Sequence, residues 1–204
     1  MSARPHIVLR DADREDAAAL VALWSECVGS SDEGSEAFTQ QALWREPGVA
    51  EAASALDFTL ARPEKRIIVA LVDGEIIGAT VCDITTMTPI NLTRVLLVTD
   101  IQVSPRFRRR SVASTLLSAA ASYGEEHNCE IVLASIPSHS REPHRYLTKI
   151  GFNQVAVLRA IQSSKLRSRL TMKATNSRDT GKLIAVRRTL RRRQGTDRAI
   201  RPRG

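Results

Sequence analysis

The stretch VTDIQVSPRFRRRSVASTLL, residues 98–117, decides the fold of this chain. Its beginning belongs to the largely apolar run 95–103, which is typical of a buried strand, and Pro105 ends that strand. A helix opens near Ser111, because apolar residues recur at helical spacing at Val112, Ala113, Leu116, Leu117 and Ala120. The stretch therefore predicts a strand that leads through a short basic loop into an amphipathic helix.

The basic loop holds three consecutive arginines, Arg108, Arg109 and Arg110, directly before the helix. The first turn of a helix already carries roughly half a positive charge, because of its free N–H groups and the macrodipole. Guanidinium groups are unfavourable there unless an anion binds at the turn or water solvates them. We predict an anion-binding turn and leave open that at least one arginine is only solvated.

The N-terminal half of the chain alternates strands and helices. Residues 6–10 predict a strand, and residues 11–28 predict a helix that Asp13 caps and Asp16 supports. Residues 29–37 form a small-residue acidic loop, and a second helical region lies within 38–60, broken near Pro47-Gly48. Asp73-Gly74, between the apolar runs 66–72 and 75–83, predicts a β-hairpin.

The C-terminal half of the folded region predicts a strand over 130–136, a short helix from about Glu142 to Gly151, and a last strand over 152–161. One helix joins the strands at 95–103 and 130–136, so a right-handed crossover makes them parallel neighbours. With the antiparallel hairpin, this pattern predicts an α/β fold with a mixed sheet.

Charge divides the 204 residues into two parts. Residues 161–204 hold 14 Lys and Arg against 2 Asp and Glu, whereas residues 1–160 hold 16 against 20. We predict one domain over 1–160 and a flexible basic extension over 161–204. The charge density over 165–204 indicates contact with nucleic acid or another anionic surface, with a disordered solubilising extension as the alternative.

The cysteines Cys27, Cys82 and Cys129 are odd in number and form no CxxC pair, so we expect buried free thiols and no metal site. The first residues lack the apolar region of a signal peptide, and no run approaches the roughly 20 apolar residues of a membrane span. These features predict a cytoplasmic protein without a membrane span.

Two motifs carry a family resemblance. The stretch 98–117 resembles motif A of the GCN5-related N-acetyltransferases, a strand ending V-x-P followed by R/Q-x-x-G-x-G/A and a helix. Arg108 takes the R/Q place, Ser111 the first glycine, Ala113 the second small residue and Ser114 the serine that often follows. PHRYLTKIGF, residues 143–152, resembles the later A-H-R-F-Y-x-x-x-G-F motif, and the resemblance covers about residues 6–159.

The resemblance implies a central mixed sheet flanked by helices and acetyl-CoA as the cofactor. In this family the diphosphate of the coenzyme lies on the loop and the helix N-terminus, a ready-made anion site. The implied contacts are main-chain atoms of the strand end and the loop with the first helical turn: Ile101, Gln102, Val103, Arg108, Arg109, Arg110, Ser111, Val112, Ala113 and Ser114.

The resemblance also implies two catalytic candidates. Asp100 stands where relatives often carry a carboxylate that accepts the proton of the amine, and its alternative is a strand-edge aspartate that binds a nearby N–H. By alternation, Asp100 and Gln102 share one face of the strand, opposite Ile101 and Val103. The family's tyrosine, the acid for the departing thiolate, falls on Leu147, and Tyr146 is its neighbour.

Two departures from the family pattern bear on these roles. Neighbouring helix positions point about 100° apart, so Tyr146 takes the acid's role only if the helix is rotated; water or the thiolate's own basicity is the alternative. Ser111 brings a Cβ where relatives have glycine, and its hydroxyl is available to cap the helix or to donate to a phosphate.

The predicted function is an acetyl-CoA-dependent N-acetyltransferase in which a primary amine attacks the bound thioester directly. The amine belongs to a small molecule, a protein lysine or a protein N-terminus. The alternatives are a larger acyl donor and a non-catalytic CoA-binding regulator that uses the basic tail for recognition. The last strands of this fold often meet a partner, so a homodimer is also expected.

Overall fold

The chain divides into two compact units, Met1–Gln154 and Val155–Gly204. The computed structural model describes residues 6–29, 45–136 and 141–172. The predicted acidic loop and the first part of the predicted second helix, residues 30–44, therefore lie outside the described residues. Within the second unit, the described segment 155–172 contains one helix, α5, at residues 163–172.

The first unit is built on a sheet that has five strands among the described residues. They are β1 (Val8–Asp11), β2 (Lys65–Val72), β3 (Glu75–Thr86), β4 (Arg94–Val103) and β5 (Ile131–Ala134), and they lie side by side in chain order. The pairs from β1 to β4 are antiparallel, and β4 pairs with β5 in parallel. The predicted mixed sheet and the parallel crossover are confirmed.

Helices cover both faces of this sheet. They are α1 (Ala17–Gly29), α2 (Val49–Leu60), α3 (Val112–Glu126) and α4 (Arg141–Lys149). Alternate residues of β2 serve the two faces: Ile68 packs in the core beneath α3, whereas Ile67 and Val69 pack in the core beneath α1 and α2. Because β2 supplies both cores, its residues from Ile67 to Val72 are apolar without interruption and most of them are buried.

The hairpin between β2 and β3 forms at the predicted place. Asp73 and Gly74 both have positive φ, 51° and 82°. A two-residue turn with both central residues left-handed matches the twist of the strands, and Asp-Gly is a preferred pair for it.

The start of the first helix also follows the prediction. The Asp13 carboxylate accepts from the N–H of Glu15, and the Asp16 carboxylate accepts from the N–H of Asp13 at 2.9 Å, which closes a capping box. A 3-10 turn, Arg14–Asp16, precedes α1. Asp16 is buried and is bonded by both terminal nitrogens of Arg10, at 2.6 and 2.7 Å, so its pKa lies below its usual value.

Gly78 allows α3 to approach the sheet closely. A Cβ on this residue would stand 2.8 Å from Val112 Cγ1 and 3.1 Å from the carbonyl oxygen of Gln102. Real Cβ atoms do not occupy such positions, so glycine sets the distance between β3 and the first residue of α3.

The three cysteines are free and buried, as the sequence predicted. Burial raises the pKa of the Cys27 and Cys82 thiols to about 11, so both stay protonated at neutral pH. Cys27 Sγ donates to the carbonyl oxygen of Val103 at 3.4 Å, which joins α1 to the end of β4.

The prediction of a last strand over 152–161 is wrong. These residues form no strand, and Val155, Val157 and Leu158 expose 73%, 62% and 86% of their surface. Apolar alternation indicated a strand, but a strand also needs a neighbour for its N–H and C=O groups, and none pairs with this segment among the described residues. The described part of the chain contains no helix with the length and apolar character of a membrane span.

Candidate active site

The fourth strand is interrupted by a bulge at the position of Asp100. Thr99 pairs with Val81 and Gln102 pairs with Ala79, so two residues of β4, Asp100 and Ile101, stand opposite one residue of β3. Asp100 has φ 50°, a left-handed conformation that Asp tolerates better than most residues.

The bulge breaks the alternation from which the sequence placed Asp100 and Gln102 on one face. Val98 and Ile101 are three residues apart, yet both pack against the core beneath α3. In a regular strand, residues three apart point to opposite faces. Alternation holds from Ile101 to Val103, which both pack against this core, but it does not run through Asp100 and so does not place Asp100 on the face of Gln102.

The same point of the sheet is where β4 and β5 separate. The parallel pairing ends at Val98 and Ala134, after which the N–H of Ser135 donates to the carbonyl oxygen of Val98 at 2.9 Å. Beyond Val98, the described residues offer no β5 partner to β4. The main chain of residues 100–103 thus presents a strand edge on that side, where an extended amide-containing ligand can form hydrogen bonds.

Asp100 stands at this edge with an altered acidity. The surrounding protein removes water from its carboxyl group and raises its pKa above the usual value, while a hydrogen bond from Thr99 acts in the opposite direction. The residue nevertheless keeps an exposed surface. A carboxylate that is accessible and has a raised pKa is a stronger proton acceptor than an ordinary aspartate.

The loop after β4 combines two left-handed residues with three arginines. A 3-10 turn, Pro105–Phe107, leads to Arg108, which is extended, and then Arg109 and Ser111 have φ 62° and 67°. Left-handed residues in such a turn direct successive N–H groups into one concave surface that suits an anion. The first N–H groups of α3, including those of Val112, Ala113 and Ser114, have no acceptor within their own helix.

The backbone of Ser111 has the conformation that favours the glycine implied by the family pattern. It is the N-cap residue of α3 in the left-handed conformation, where glycine has no steric cost. Its side chain makes no capping hydrogen bond, although its carbonyl oxygen accepts from the N–H of Thr115 at 2.9 Å. Of the two roles considered for the hydroxyl, capping the helix is therefore not observed.

The three arginines have different surroundings. Arg109 donates to Glu142 of α4 at 2.9 Å, and this ion pair raises the pKa of Arg109 and lowers that of Glu142. Arg110 lies over the ring of Phe107 at 5.5 Å. The positive charge of Arg108 stabilises the ionised forms of Cys27 and Glu142.

Tyr146 faces the start of α3, whereas Leu147 is part of the core. The Tyr146 hydroxyl and the Ser114 hydroxyl are 2.8 Å apart, and Leu147 is only 6% exposed. α4 ends at Lys149, and the predicted C-cap turn forms at Gly151, which has φ 103°, while the N–H of Phe152 donates to the carbonyl oxygen of Leu147. The orientation of α4 thus brings Tyr146, and not the residue at the family's tyrosine position, to the loop.

The predicted cofactor residues follow one another from the strand end at 101–103 through the loop to the first turn of α3, and the Ser114 hydroxyl there contacts the Tyr146 hydroxyl. Sequence reasoning missed the contact of Glu142 with Arg109 of this loop. Its only signal was an acidic residue in the first turn of a short helix, and no local pattern connects it with an arginine 33 residues away.

A concave surface adjoins the loop after β4 at Arg106. An open cleft of about 510 Å³ lies between the start of α1 and the β2–β3 turn, and its charged lining consists of Arg10, Glu15, Asp16, Glu26, Glu75 and Arg106. None of the predicted site residues lines it. Among the described residues, no group of three or more His, Cys, Asp or Glu could hold a metal ion.

Solved structures share this fold. A transcriptional regulator from Bacillus halodurans is 15% identical, with 77% of this chain and 99% of that chain covered at a TM-score of 0.64. An aminoglycoside N-acetyltransferase in complex with CoA is 17% identical, with 80% and 99% covered at 0.60. A glucosamine-6-phosphate N-acetyltransferase from Arabidopsis thaliana is 15% identical, with 78% and 99% covered at 0.59.

These similarities place the fold in the class to which N-acetyltransferases belong. The model of the acetyltransferase (GNAT) family matches residues 30–152, and the chain belongs to this family. The resemblance and the acetyltransferase class predicted from the two motifs are confirmed. No curated protein sequence matches the chain significantly.

Proposed function

We propose that this protein transfers an acetyl group from acetyl-CoA to a primary amine of a small molecule or a protein. The observation that carries the proposal is the separation of β4 from β5 beyond Val98, directly before the arginine-rich loop and the start of α3. Family membership and a structural neighbour solved with CoA support the same reading.

The residues present fit the coenzyme. The main chain of Ile101 and Val103, with Gln102 between them, is suited to the amide groups of its pantetheine arm. The loop from Arg108 to Ser111 and the free N–H groups at 112–114 are suited to its phosphates. When bound, acetyl-CoA supplies an activated thioester.

The chain's own groups have three tasks in this proposal. The loop and strand edge hold the reactants together, which accounts for much of the acceleration when two reactants must meet. Asp100 accepts the proton that the amine loses. Tyr146 Oη, held by Ser114, is the candidate that gives a proton to the departing sulfur.

A thiol-release assay with acetyl-CoA and a panel of amines tests the proposal. We expect turnover that falls by about 10²- to 10⁴-fold in Asp100→Asn, the usual contribution of a general base. Asp73→Asn is the matched control, because Asp73 is also an exposed, left-handed aspartate but lies in the β2–β3 turn. Equal activity in Asp100→Asn and the control would remove Asp100 from the mechanism.

The amine panel also separates acceptor classes. It includes small-molecule amines, a lysine peptide and a peptide with a free N-terminus, and a longer acyl-CoA in the same assay tests the alternative donor. A cytoplasmic location, a homodimer, and a catalytic domain over 1–160 with an extension over 161–204 stay predictions.

A second candidate function rests on the described part of the tail. Helix α5 exposes Lys165, Arg167 and Arg169, and no acidic residue occurs in 155–172. A non-catalytic CoA-binding regulator would bind nucleic acid through this surface, with affinity that falls steeply as salt rises. Binding of CoA without acetylation of any amine favours this function. DNA or RNA binding that does not depend on salt and persists when Lys165, Arg167 and Arg169 are all replaced by Glu contradicts it.

A further inference from the structure

Two polar contacts tie the first turn of α3 and the loop before it to α4. Arg109 is ion-paired with Glu142, and Ser114 is hydrogen-bonded to Tyr146. Glu142 and Tyr146 are four residues apart, so they lie on one face of α4, and that face meets the loop. The contacts therefore lie at the surface that we propose for the coenzyme phosphates.

Glu142 is the acidic member of this surface. Its carboxylate is 2.9 Å from Arg109, and the charges of Arg108 and Arg145 also act on it. The Arg109 and Glu142 side chains are 87% and 63% exposed, so water competes with their ion pair and the pair holds weakly. A phosphate group, with more charge and more acceptor oxygens than a carboxylate, can replace Glu142 at Arg109.

We propose that Glu142 competes with the coenzyme phosphates for Arg109 and thereby lowers the affinity of the protein for CoA. This inference rests on the proposed function. In the ligand-free protein, Glu142 partly neutralises Arg109 and offsets the repulsion among the neighbouring guanidinium groups. When a phosphate takes Arg109, Glu142 loses its partner and stands beside a polyanion. Glu142 thus weakens binding in proportion to the strength of its own contact.

Isothermal titration of CoA into the full chain tests the competition. Because an exposed ion pair is weak, we expect Glu142→Gln to tighten CoA binding only about two- to fivefold at low salt. The gain shrinks as ionic strength rises. Glu126→Gln is the matched control, because it removes the same charge from an exposed residue at the far end of α3 and leaves the dissociation constant unchanged.

A double-mutant cycle separates competition from general repulsion. In the Arg109→Gln background, Glu142→Gln no longer tightens binding if the two residues act through their contact. A gain that persists there means that Glu142 acts only as a remote negative charge. In Glu142→Gln alone, weaker binding means that Glu142 positions Arg109, and unchanged binding means that it has no role in CoA affinity. Each of these results overturns the proposal. No binding of CoA by the unaltered protein contradicts the proposed function instead.

Discussion

Replacing Ser111 tests how the start of α3 is built. Ser111 has φ 67°, a conformation in which the Cβ of an L-residue crowds the following carbonyl oxygen. Its hydroxyl makes no capping bond, so Ser111→Gly removes the Cβ without removing a capping hydrogen bond of the folded protein. Ser111→Ala removes only the hydroxyl, and Ser111→Val adds a β-branched side chain at the same strained position.

The expected free energies of unfolding follow from two opposing effects. The left-handed conformation costs an L-residue about 1–2 kcal/mol, and glycine returns about 0.4–1 kcal/mol of that through the greater entropy of the unfolded chain. Ser111→Gly should therefore stabilise the protein by up to about 1.6 kcal/mol. Ser111→Ala should change stability by less than about 0.5 kcal/mol, and Ser111→Val should destabilise by more than about 1 kcal/mol.

Chemical denaturation of the unaltered protein and the three variants measures these differences. In thermal melts of the same proteins, each 1 kcal/mol should move the melting temperature by about 2–4 °C for a domain of this size. Titration with CoA is run on the same samples, where we expect Ser111→Gly to bind as tightly as the unaltered protein or more tightly. If Ser111→Gly is less stable than Ser111→Ala, the strain argument is refuted. A large loss of CoA affinity in both variants would make the hydroxyl a ligand.

Three further substitutions test the packing and electrostatics around the site. Gly78→Ala forces a Cβ to within 2.8 Å of Val112 and should lower the free energy of unfolding in denaturant titrations by about 1–3 kcal/mol, while shifting the start of α3 and weakening CoA binding; unchanged stability contradicts the close approach. Asp16→Asn disrupts the pair of hydrogen bonds from Arg10 and should lower the free energy of unfolding by about 1–3 kcal/mol at pH 7. Because the pKa of Asp16 is lowered on folding, its contribution is present above its usual value of 3.8 and lost as the pH falls through the folded pKa, so the gap to the variant closes in acid melts. The pKa of Asp100 is raised on folding instead, so the ionised carboxylate destabilises the folded protein once the pH is above the folded pKa. Asp100→Asn should therefore melt at a higher temperature than the unaltered protein at pH 7 but not in acid.

Elements with local signals could be predicted from the sequence. The Asp73-Gly74 turn needs two left-handed residues, and Asp followed by Gly supplies them in any context. The capping box of Asp13 and Asp16 closes over three residues. The arginine-rich loop and α3 followed from the run of apolar residues after Pro105, which depends on no distant contact.

The features that sequence reasoning missed depend on distant partners. The bulge at Asp100 is defined by its register against β3, and the same letters in a regular strand would alternate. The segment 152–161 has the apolar pattern of a strand but no strand beside it among the described residues. The contact between Arg109 and Glu142, and the turn of α4 that brings Tyr146 to Ser114, arise only when two elements 32 or 33 residues apart pack together.

Hydrogen–deuterium exchange of the full chain with and without CoA tests the central claim most directly, because it reports where on the chain the coenzyme protects the backbone. We predict that added CoA slows exchange in peptides covering residues 100–103 and 108–114 and leaves the β2–β3 turn unchanged. Protection confined to the cleft beside Glu15 and Glu75, with residues 100–114 exchanging as before, would contradict the account.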